Sequence, residues 1–410
     1  MVNKVQAIYQ RHSPTVWLLA CGRLVDMTTL WMAIPFMAIF VQRAGASATI
    51  TGIVLALNPV AQLLGNLIGG QWSDRKGRRP VILFSMGFRV FVLLSYAFAT
   101  QVWQFALLSF CNGLVNALFN PAYMAAIADS TEPKERVEAF SLSRVMSNLG
   151  VGLGPLLGSA FGVEAQRLIF SLAALSSFIV GTGFFLYLKE PMKVRAQIAN
   201  GQSRLKQTLE NWSTVLTDRA LFIFIAGGIL SQIAYAQIHS SLSIHLSHTM
   251  ADYEHVYSLI WTLNGALVVL LQLPITALFR RSRLVVPAVL GPIAFAVGYA
   301  AFGFASTAFW IHAATVIWTI GEIILAVPAT TFATDIAPPD LRARYVGAAA
   351  LDRAVGGIVA PILGTAVLQA FGGQVVMLGA SGVVLCAGLL FAIAERERAR
   401  RLARQPFNAA

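Results

Sequence analysis

Gly70-Gln-Trp-Ser-Asp74-Arg75-Lys76-Gly77-Arg78-Arg79-Pro80 separates two apolar runs, residues 50–72 before it and 80–99 after it. About 20 apolar residues carry a helix across a bilayer, so each flanking run is long enough to span one. A connection this short and this charged reads as a tight loop on the cytoplasmic side. The same ruler, moved along the chain, finds twelve spans: 15–41, 50–73, 80–100, 102–126, 138–161, 166–188, 220–246, 255–279, 284–305, 307–333, 344–371 and 374–394. Composition agrees: 57% of residues are apolar and 12% are charged, about half the charged share of a soluble chain. Backbone groups in lipid have no water to bond, so the spans are expected to be helices. No segment shows the alternation of a membrane barrel strand.

Arginine and lysine set the orientation. With both termini cytoplasmic, 24 of the 30 Lys and Arg fall inside, Arg43 and Arg167 fall outside, and Arg23, Arg89, Arg144 and Arg353 fall within spans. That asymmetry is the positive-inside pattern. It accounts for the net charge of +12 with no nucleic-acid partner, and it places the basic tail at the anionic inner leaflet. The expected location is the bacterial plasma membrane, multi-pass, with a monomer as the working unit. The first apolar run is too long for a cleavable signal peptide and has charges inside it. Cys21, Cys111 and Cys386 all fall within spans, so neither a disulfide nor a metal cluster is expected.

The chain repeats itself. A shift of 206 positions lays Asp129 on Asp335, Pro133 on Pro339, Arg136 on Arg342, Pro155 on Pro361 and Gly158 on Gly364. The expected fold class is therefore an all-α membrane protein, with twelve transmembrane helices in two pseudo-symmetric six-helix bundles. The domain borders follow: an N-terminal bundle over 1–188, a cytoplasmic linker over 189–219, a C-terminal bundle over 220–394 and a basic tail over 395–410. Parallel repeats of this kind place a substrate site at their interface near mid-bilayer and work by rocking.

Charges inside the spans mark candidate machinery. Arg23, Asp26, Arg89, Arg144, Glu322, Asp352 and Arg353 each lie within a span, where a charge at the helix centre costs about 2.5–3.5 kcal/mol on insertion scales. Most sit roughly a third to half of the way across, as residues around a central cavity would. Arg23 and Asp26 are three apart and share a helix face. They read either as a neutralised structural pair or as a proton site whose acid Arg23 keeps ionised. Asp352 and Arg353 are adjacent, point apart, and each needs a partner from another helix. Glu322 has no basic residue within a helical turn, so burial favours its protonated form and makes it a proton-coupling candidate. Asp26, Glu322 and Asp352 are thus the expected coupling acids, and Arg23, Arg89, Arg144 and Arg353 their charge partners or helix clamps. Trp31, Asn58, Gln62, Asn116, Tyr123, Tyr235, Trp261 and Trp318 are candidate cavity residues, fewer than half of the aromatic ones being expected to face it. An apolar, aromatic site with one or two acids suits lipophilic, cationic molecules.

The 70–80 stretch resembles the signature loop of the major facilitator superfamily, Gly-x-Leu-x-Asp-Arg-x-Gly-Arg-Arg/Lys, with Trp72 in place of Leu. Gly150-Val-Gly-Leu-Gly154-Pro155-Leu-Leu-Gly158-Ser159 is similar to the antiporter motif of that family's drug:proton antiporter group, Gly-x-x-x-Gly-Pro-x-x-Gly-Gly. Closely spaced glycines let another helix approach, and Pro155 removes one helical hydrogen bond. The resemblance implies proton-coupled export of lipophilic compounds by alternating access, as in multidrug efflux and antibiotic resistance. It implies that Gly70, Asp74, Arg75, Gly77, Arg78, Arg79 and Asp129 form a cytoplasmic latch, with Asp74 capping a second-half helix and Arg78 reaching Asp129. One departure matters: many such antiporters carry Arg three residues before Gly on the fourth span, and here Phe110 precedes Gly113. The role of that Arg is then absent or moved to Arg144 or Arg89.

The alternative within transport is a proton-coupled carrier of one specific metabolite or lipid-like solute. His245, His248 and Asp252 have a spacing compatible with zinc, but a polar outer loop explains them and no metal or other cofactor is expected. No hydrolase pattern and no phosphate-binding Gly-x-x-x-x-Gly-Lys-Ser/Thr loop occurs, so neither an enzyme nor an ATP-driven pump is expected.

Overall fold

Ser13 opens the first helix. Its hydroxyl accepts from the Val16 amide at 3.4 Å as an N-cap, and Pro14 suits the first turn, where no amide hydrogen is needed. The computed structural model describes residues 13–132, 135–188, 215, 217–279, 284–338 and 341–404, and for Asp74, Arg75, Arg342 and some neighbours only the backbone. Among the described residues every regular element is helical. In chain order these are α1 (Pro14–Ala33), α2 (Met37–Arg43), α3 (Ala48–Lys76), α4 (Arg78–Ala97), α5 (Val102–Asp129), α6 (Arg136–Phe161), α7 (Gln166–Tyr187), α8 (Arg219–Tyr235), α9 (Ser243–Thr249), α10 (Tyr253–Phe279), α11 (Val285–Phe304), α12 (Ala308–Ile336), α13 (Arg342–Ala349), α14 (Leu351–Phe371) and α15 (Gly373–Arg404). The short helices α2, α9 and α13 complete the spans begun or continued by α1, α8 and α14. Pro35 splits α1 from α2 through a 3-10 turn, Ile34–Phe36, because proline has no amide hydrogen for the helical ladder.

The charged stretch at 70–80 is not a loop. α3 runs to Lys76 and α4 starts at Arg78, leaving Gly77 alone between them with φ of 97°. Glycine adopts that left-handed region without a Cβ clash, so one residue reverses the chain and the charges ride on helix ends. The expected basic tail differs in the same way. α15 continues to Arg404, and Arg398 and Arg401 are held in ion pairs. The linker at 189–214 lies outside the described residues, and 217–219 already belongs to the cap of α8.

Eleven helical segments are long and apolar enough to cross a bilayer. The twelfth expected span is α6. At 26 residues it is about 39 Å long, but Arg144, Asn148, four serines and four glycines lower its hydropathy. Exposed leucines such as Leu270 (68%) and Leu273 (77%) on α10 suit lipid rather than water.

The chain divides into two compact units. Unit 1 takes Met1–Ser47, Ile53–Gly201 and Tyr257–Gly265; unit 2 takes Ala48–Gly52, Gln202–Val256 and Ala266–Ala410. Within each unit a short segment packs closely at a glycine. A Cβ on Gly52 would lie 2.3 Å from the Pro361 carbonyl oxygen, and one on Gly265 would lie 3.4 Å from Gly152 Cα. Pairings inside the units match under the repeat. α1 packs on α6 as α8 packs on α14, α4 on α7 as α11 on α15, and α4 on α5 as α11 on α12. Unit 1 is cored by Leu19, Ile82, Met86, Phe119, Val180 and Phe184. Unit 2 is cored around Phe224, stacked on Phe332 at 4.2 Å.

Asp218 caps α8 and ties three helices together. Its Oδ1 accepts from the amides of Ala220 at 3.0 Å and Leu221 at 3.2 Å. Arg401 of α15 donates to both carboxylate oxygens at 2.7 Å, and the Tyr345 hydroxyl of α13 donates to Oδ2 at 2.8 Å. Burial pushes this carboxyl up, but the Arg401 and Tyr345 donors and the Leu221 amide outweigh it and hold it below the usual range. A carboxyl lowered by folding adds stability above its unfolded pKa, about 3.9, and loses it as pH falls through the lower folded value. Asp218→Asn is therefore expected to lower the melting temperature of detergent-solubilised protein at neutral pH. The gap to wild type should close as pH drops below about 4. A gap unchanged across that range would remove the charge pair as its cause.

Candidate functional site

The glycine face of α6 brings α1 into place. A Cβ on Gly150 would lie 2.6 Å from Met27 Cβ, on Gly154 2.5 Å from the Thr28 carbonyl oxygen, and on Gly158 2.4 Å from that of Met32. The two backbones therefore meet along three turns, which fixes the height and rotation of α1 and of the two charges it carries.

Those charges join a buried cluster in unit 1. Arg89 of α4 donates through Nη1 to Asp26 Oδ2 at 2.5 Å and through Nη2 to Asn116 Oδ1 on α5 at 3.1 Å. The Ser177 hydroxyl of α7 donates to Asp26 Oδ1 at 3.5 Å. Asp26 and Arg89 are 2% and 1% exposed. Arg23, the partner expected from spacing, stands 3.8 Å from Asp26 Oδ2 and donates through Nε to Ser147 Oγ on α6 at 3.3 Å. The structure thus makes Arg89 the closer counter-ion and joins three helices, α1, α4 and α7, through one carboxylate. Both guanidiniums lie over the Phe119 ring, Arg89 at 4.8 Å and Arg23 at 5.8 Å from its centroid, and Arg23 also lies 5.4 Å from that of Tyr123. Such contacts favour a desolvated cation.

The depth of the cluster is uniform. Counted from the helix ends at Pro14, Arg78, Asp129 and Arg136, the residues Arg23, Asp26, Arg89, Asn116 and Arg144 lie about 12–20 Å in, at about 1.5 Å per residue. Those ends share one side of unit 1: Arg78 Nε donates to Asp129 Oδ2 at 3.3 Å, Arg136 Nε to the Ala128 carbonyl at 3.2 Å, and Ser13 Oγ to the Ser130 carbonyl at 3.3 Å. Arg144 is exposed, and among the described residues it makes no hydrogen bond or ion pair.

Unit 2 carries its acids differently. The 206-residue shift lays Asn116 on Glu322, Asp26 on Gln232 and Arg89 on Phe295. A Cβ on Gly321 would lie 2.3 Å from the Phe295 amide nitrogen, so α11 and α12 are in backbone contact beside Glu322. Trp318, one turn before it, is fully buried and stacks on Tyr235 at 5.5 Å and Phe295 at 5.4 Å. Asp352 does not have the side-chain partner expected for it among the described residues. Its Oδ1 accepts from the Arg353 amide at 2.5 Å in the first turn of α14, where the helix dipole favours an anion. It packs at Gly228 of α8, where a Cβ would stand 2.8 Å from Oδ2. Arg353 is exposed.

The remaining candidates sort by burial. Tyr123, Trp261 and Trp318 are 0–1% exposed and belong to the packed interior rather than an open wall. The Tyr123 hydroxyl bonds Ser143 Oγ at 2.8 Å and donates to the Leu19 carbonyl at 3.2 Å. Trp31 is half-buried, edge-on to Trp261 at 5.3 Å. Gln62 donates to Asn58 Oδ1 at 2.6 Å, and Asn58 to the Ser109 carbonyl at 3.3 Å. At the charged helix ends Arg78 also donates to Ser73 Oγ at 3.1 Å, and Arg79 to the Phe185 carbonyl at 2.7 Å. For Gly70, Asp74 and Arg75 only the helical backbone is described, so the expected cap by Asp74 lies outside the described side chains. Ser147 and Ser177 escaped the sequence reading and gave no signal. Phe119 shares a helical face with Asn116 and Tyr123. Among the described residues no group of three or more His, Cys, Asp or Glu is arranged to hold a metal.

A sequence profile of the Major Facilitator Superfamily matches residues 19–361. The uncharacterized MFS-type transporter YqjV of Bacillus subtilis (strain 168) is 28% identical over 362 residues, covering 88% of this chain and 87% of the relative. A Na(+), Li(+), K(+)/H(+) antiporter of Planococcus maritimus is 25% identical, covering 83% and 86%. The multidrug resistance protein MdtH of Aeromonas hydrophila is 27% identical, covering 85% and 86%.

Proposed function

The chain belongs to the Major Facilitator Superfamily, and from that premise we propose that it is a proton-coupled antiporter exporting lipophilic compounds by alternating access. As a member of that family it is a multi-pass membrane transporter and not an enzyme. The observation that carries the proposal is the Asp26–Arg89 pair, at 2.5 Å and almost wholly buried. A proton on Asp26 removes the charge that Arg89 binds, so its protonation decides how firmly α1 is tied to α4. Glu322 supplies a second carboxyl on α12, at the position that the repeat lays on Asn116, and proton loading there alternates with cargo. The relatives named for multidrug resistance and for cation/proton antiport support this reading. The Arg78–Asp129 contact is assigned to the latch, together with Gly70, Asp74, Arg75, Gly77 and Arg79. The Gly150, Gly154, Pro155 and Gly158 face is assigned to seating α1. A cationic cargo, expected from the sequence, is not carried forward: in unit 1 two guanidiniums meet one carboxylate, and that balance does not attract a cation.

The test is gradient-driven dye movement in proteoliposomes, with lipophilic fluorescent dyes of positive, neutral and negative charge. Glu322→Gln and Asp26→Asn are each expected to lose gradient-driven movement while retaining dye counterflow in the absence of a gradient. Full proton-driven movement in both variants would sink the coupling roles.

A further inference from the structure

The cluster in unit 1 lacks an acceptor. Arg23 and Arg89 together offer ten N–H donors. Among the described residues they find only Asp26, Asn116 and Ser147. Arg89 Nε is buried with no hydrogen-bond partner. The one carboxylate is spent mainly on Arg89, at 2.5 Å, and leaves Arg23 at 3.8 Å. A net positive charge therefore remains beside buried aromatic rings, with the Arg23 side chain only 14% exposed to solvent.

Arg144 is a further cation, on the helix that holds Arg23. It leaves α6 one turn before Ser147, the residue that holds Arg23 Nε. The exposed apolar stripe of α6 is Val145, Leu149, Leu153 and Leu157, and the α1-facing stripe is Gly150, Gly154 and Gly158. At about 100° per residue, Arg144 and Asn148 share the face between these two stripes. Arg144 thus lies off the apolar stripe and beside the α1 contact. Snorkelling toward a membrane surface would account for Arg144 alone, but not for the two guanidiniums of the buried cluster.

We propose that Arg23 and Arg144 form a docking site for the carboxylate of a lipophilic acid, with the buried rings of Phe119 and Tyr123 backing the Arg23 guanidinium. This rests on the transport reading above and names the class of its cargo. Asp26 keeps Arg89 occupied, so the incoming carboxylate is the missing acceptor for Arg23 and the first ion-pair partner for Arg144. A guanidinium pairs with a carboxylate in a planar, two-point geometry that an ammonium cannot reproduce. With such a cargo, a proton on Asp26 assists binding instead of competing with it.

The test is equilibrium binding without any gradient, so it stands or falls apart from proton coupling. Energy transfer from tryptophan to pyrene would be followed on the full-length protein in a neutral detergent, with pyrenebutyrate and pyrenebutyl-trimethylammonium as probes of one ring and opposite charge. Saturable binding of the anion at least about tenfold tighter than the cation is expected. Arg144→Gln should weaken the anion about tenfold or more while melting within about 2 °C of wild type, as exposed substitutions do. Cation binding as tight as anion binding would overturn the proposal, and that comparison needs no variant. Unchanged anion binding in Arg144→Gln would overturn the site. Displacement of the probe by phosphatidylglycerol as readily as by free lipophilic acid would give the site to a lipid headgroup and overturn the cargo.

Discussion

Arg89→Gln is expected to lower the melting temperature of the solubilised protein by about 3–6 °C, and adding Asp26→Asn should restore a good part of the loss. Removing one partner of a buried ion pair costs about 3–5 kcal/mol, because the other charge stays behind without compensation. Here the stranded group would be Asp26, 2% exposed, with Arg23 at 3.8 Å and a long bond from Ser177 as its remaining support. Asn116 would lose its donor as well. Arg23 can move toward Asp26, which sets the loss at the lower end of that range. Neutralising both members removes the stranded charge, and pairs replaced together are often near neutral in stability. The measurement is a thermal melt of both single variants and the double variant. A double variant no more stable than Arg89→Gln alone would mean that the arginine holds the helices by packing on Phe119 and not by its charge.

Membrane spans are legible because lipid punishes an unmet backbone group or charge more than water does. The twelve runs appear in the structure with their ends moved by a few residues, except the last, whose helix continues to Arg404. α6 is the exception that shows the reason: its glycines and polar residues serve the contact with α1 and the charge cluster, so it is the least apolar. The 70–80 stretch was legible as a turning point but not as helix. Charges there suggest a loop only if helices are assumed to end at the lipid, and a single left-handed Gly77 does the turning. Asp26 and Arg89 were legible as costly residues inside spans. Their pairing was not, because it joins positions 63 apart through the packing of α1 and α4, and spacing favoured the neighbour Arg23. The Asp352 contact with its own helix start was hidden for the opposite reason: a search for distant partners passes over the adjacent amide. Ser147 and Ser177 have no sequence mark at all, since a serine in a span bonds its own helix as readily as a distant arginine.

Gly154→Ala and Gly152→Ala differ by two positions on one helix and should differ sharply in effect. In each case the intrinsic change favours the helix by up to about 1 kcal/mol. At Gly152 the new methyl group meets nothing within 4 Å, so that variant should be as stable as wild type or more so. At Gly154 the methyl group would stand 2.5 Å from the Thr28 carbonyl oxygen and 2.7 Å from Trp31 Cβ. These are backbone and near-backbone atoms of α1 with no rotamer to yield, so the helix itself must move. Overpacking of this kind costs about 1–3 kcal/mol and more when backbone is displaced. The displacement also reaches function, since α1 carries Arg23 and Asp26 within two turns of the contact. Gly154→Ala should therefore lose transport at temperatures where it is still folded, whereas Gly152→Ala should not. Thermal melts and dye transport on the two variants decide the matter. Equal melting and equal transport would mean that α1 does not lean on the glycine face of α6, and the positioning of the charge cluster would then need another cause.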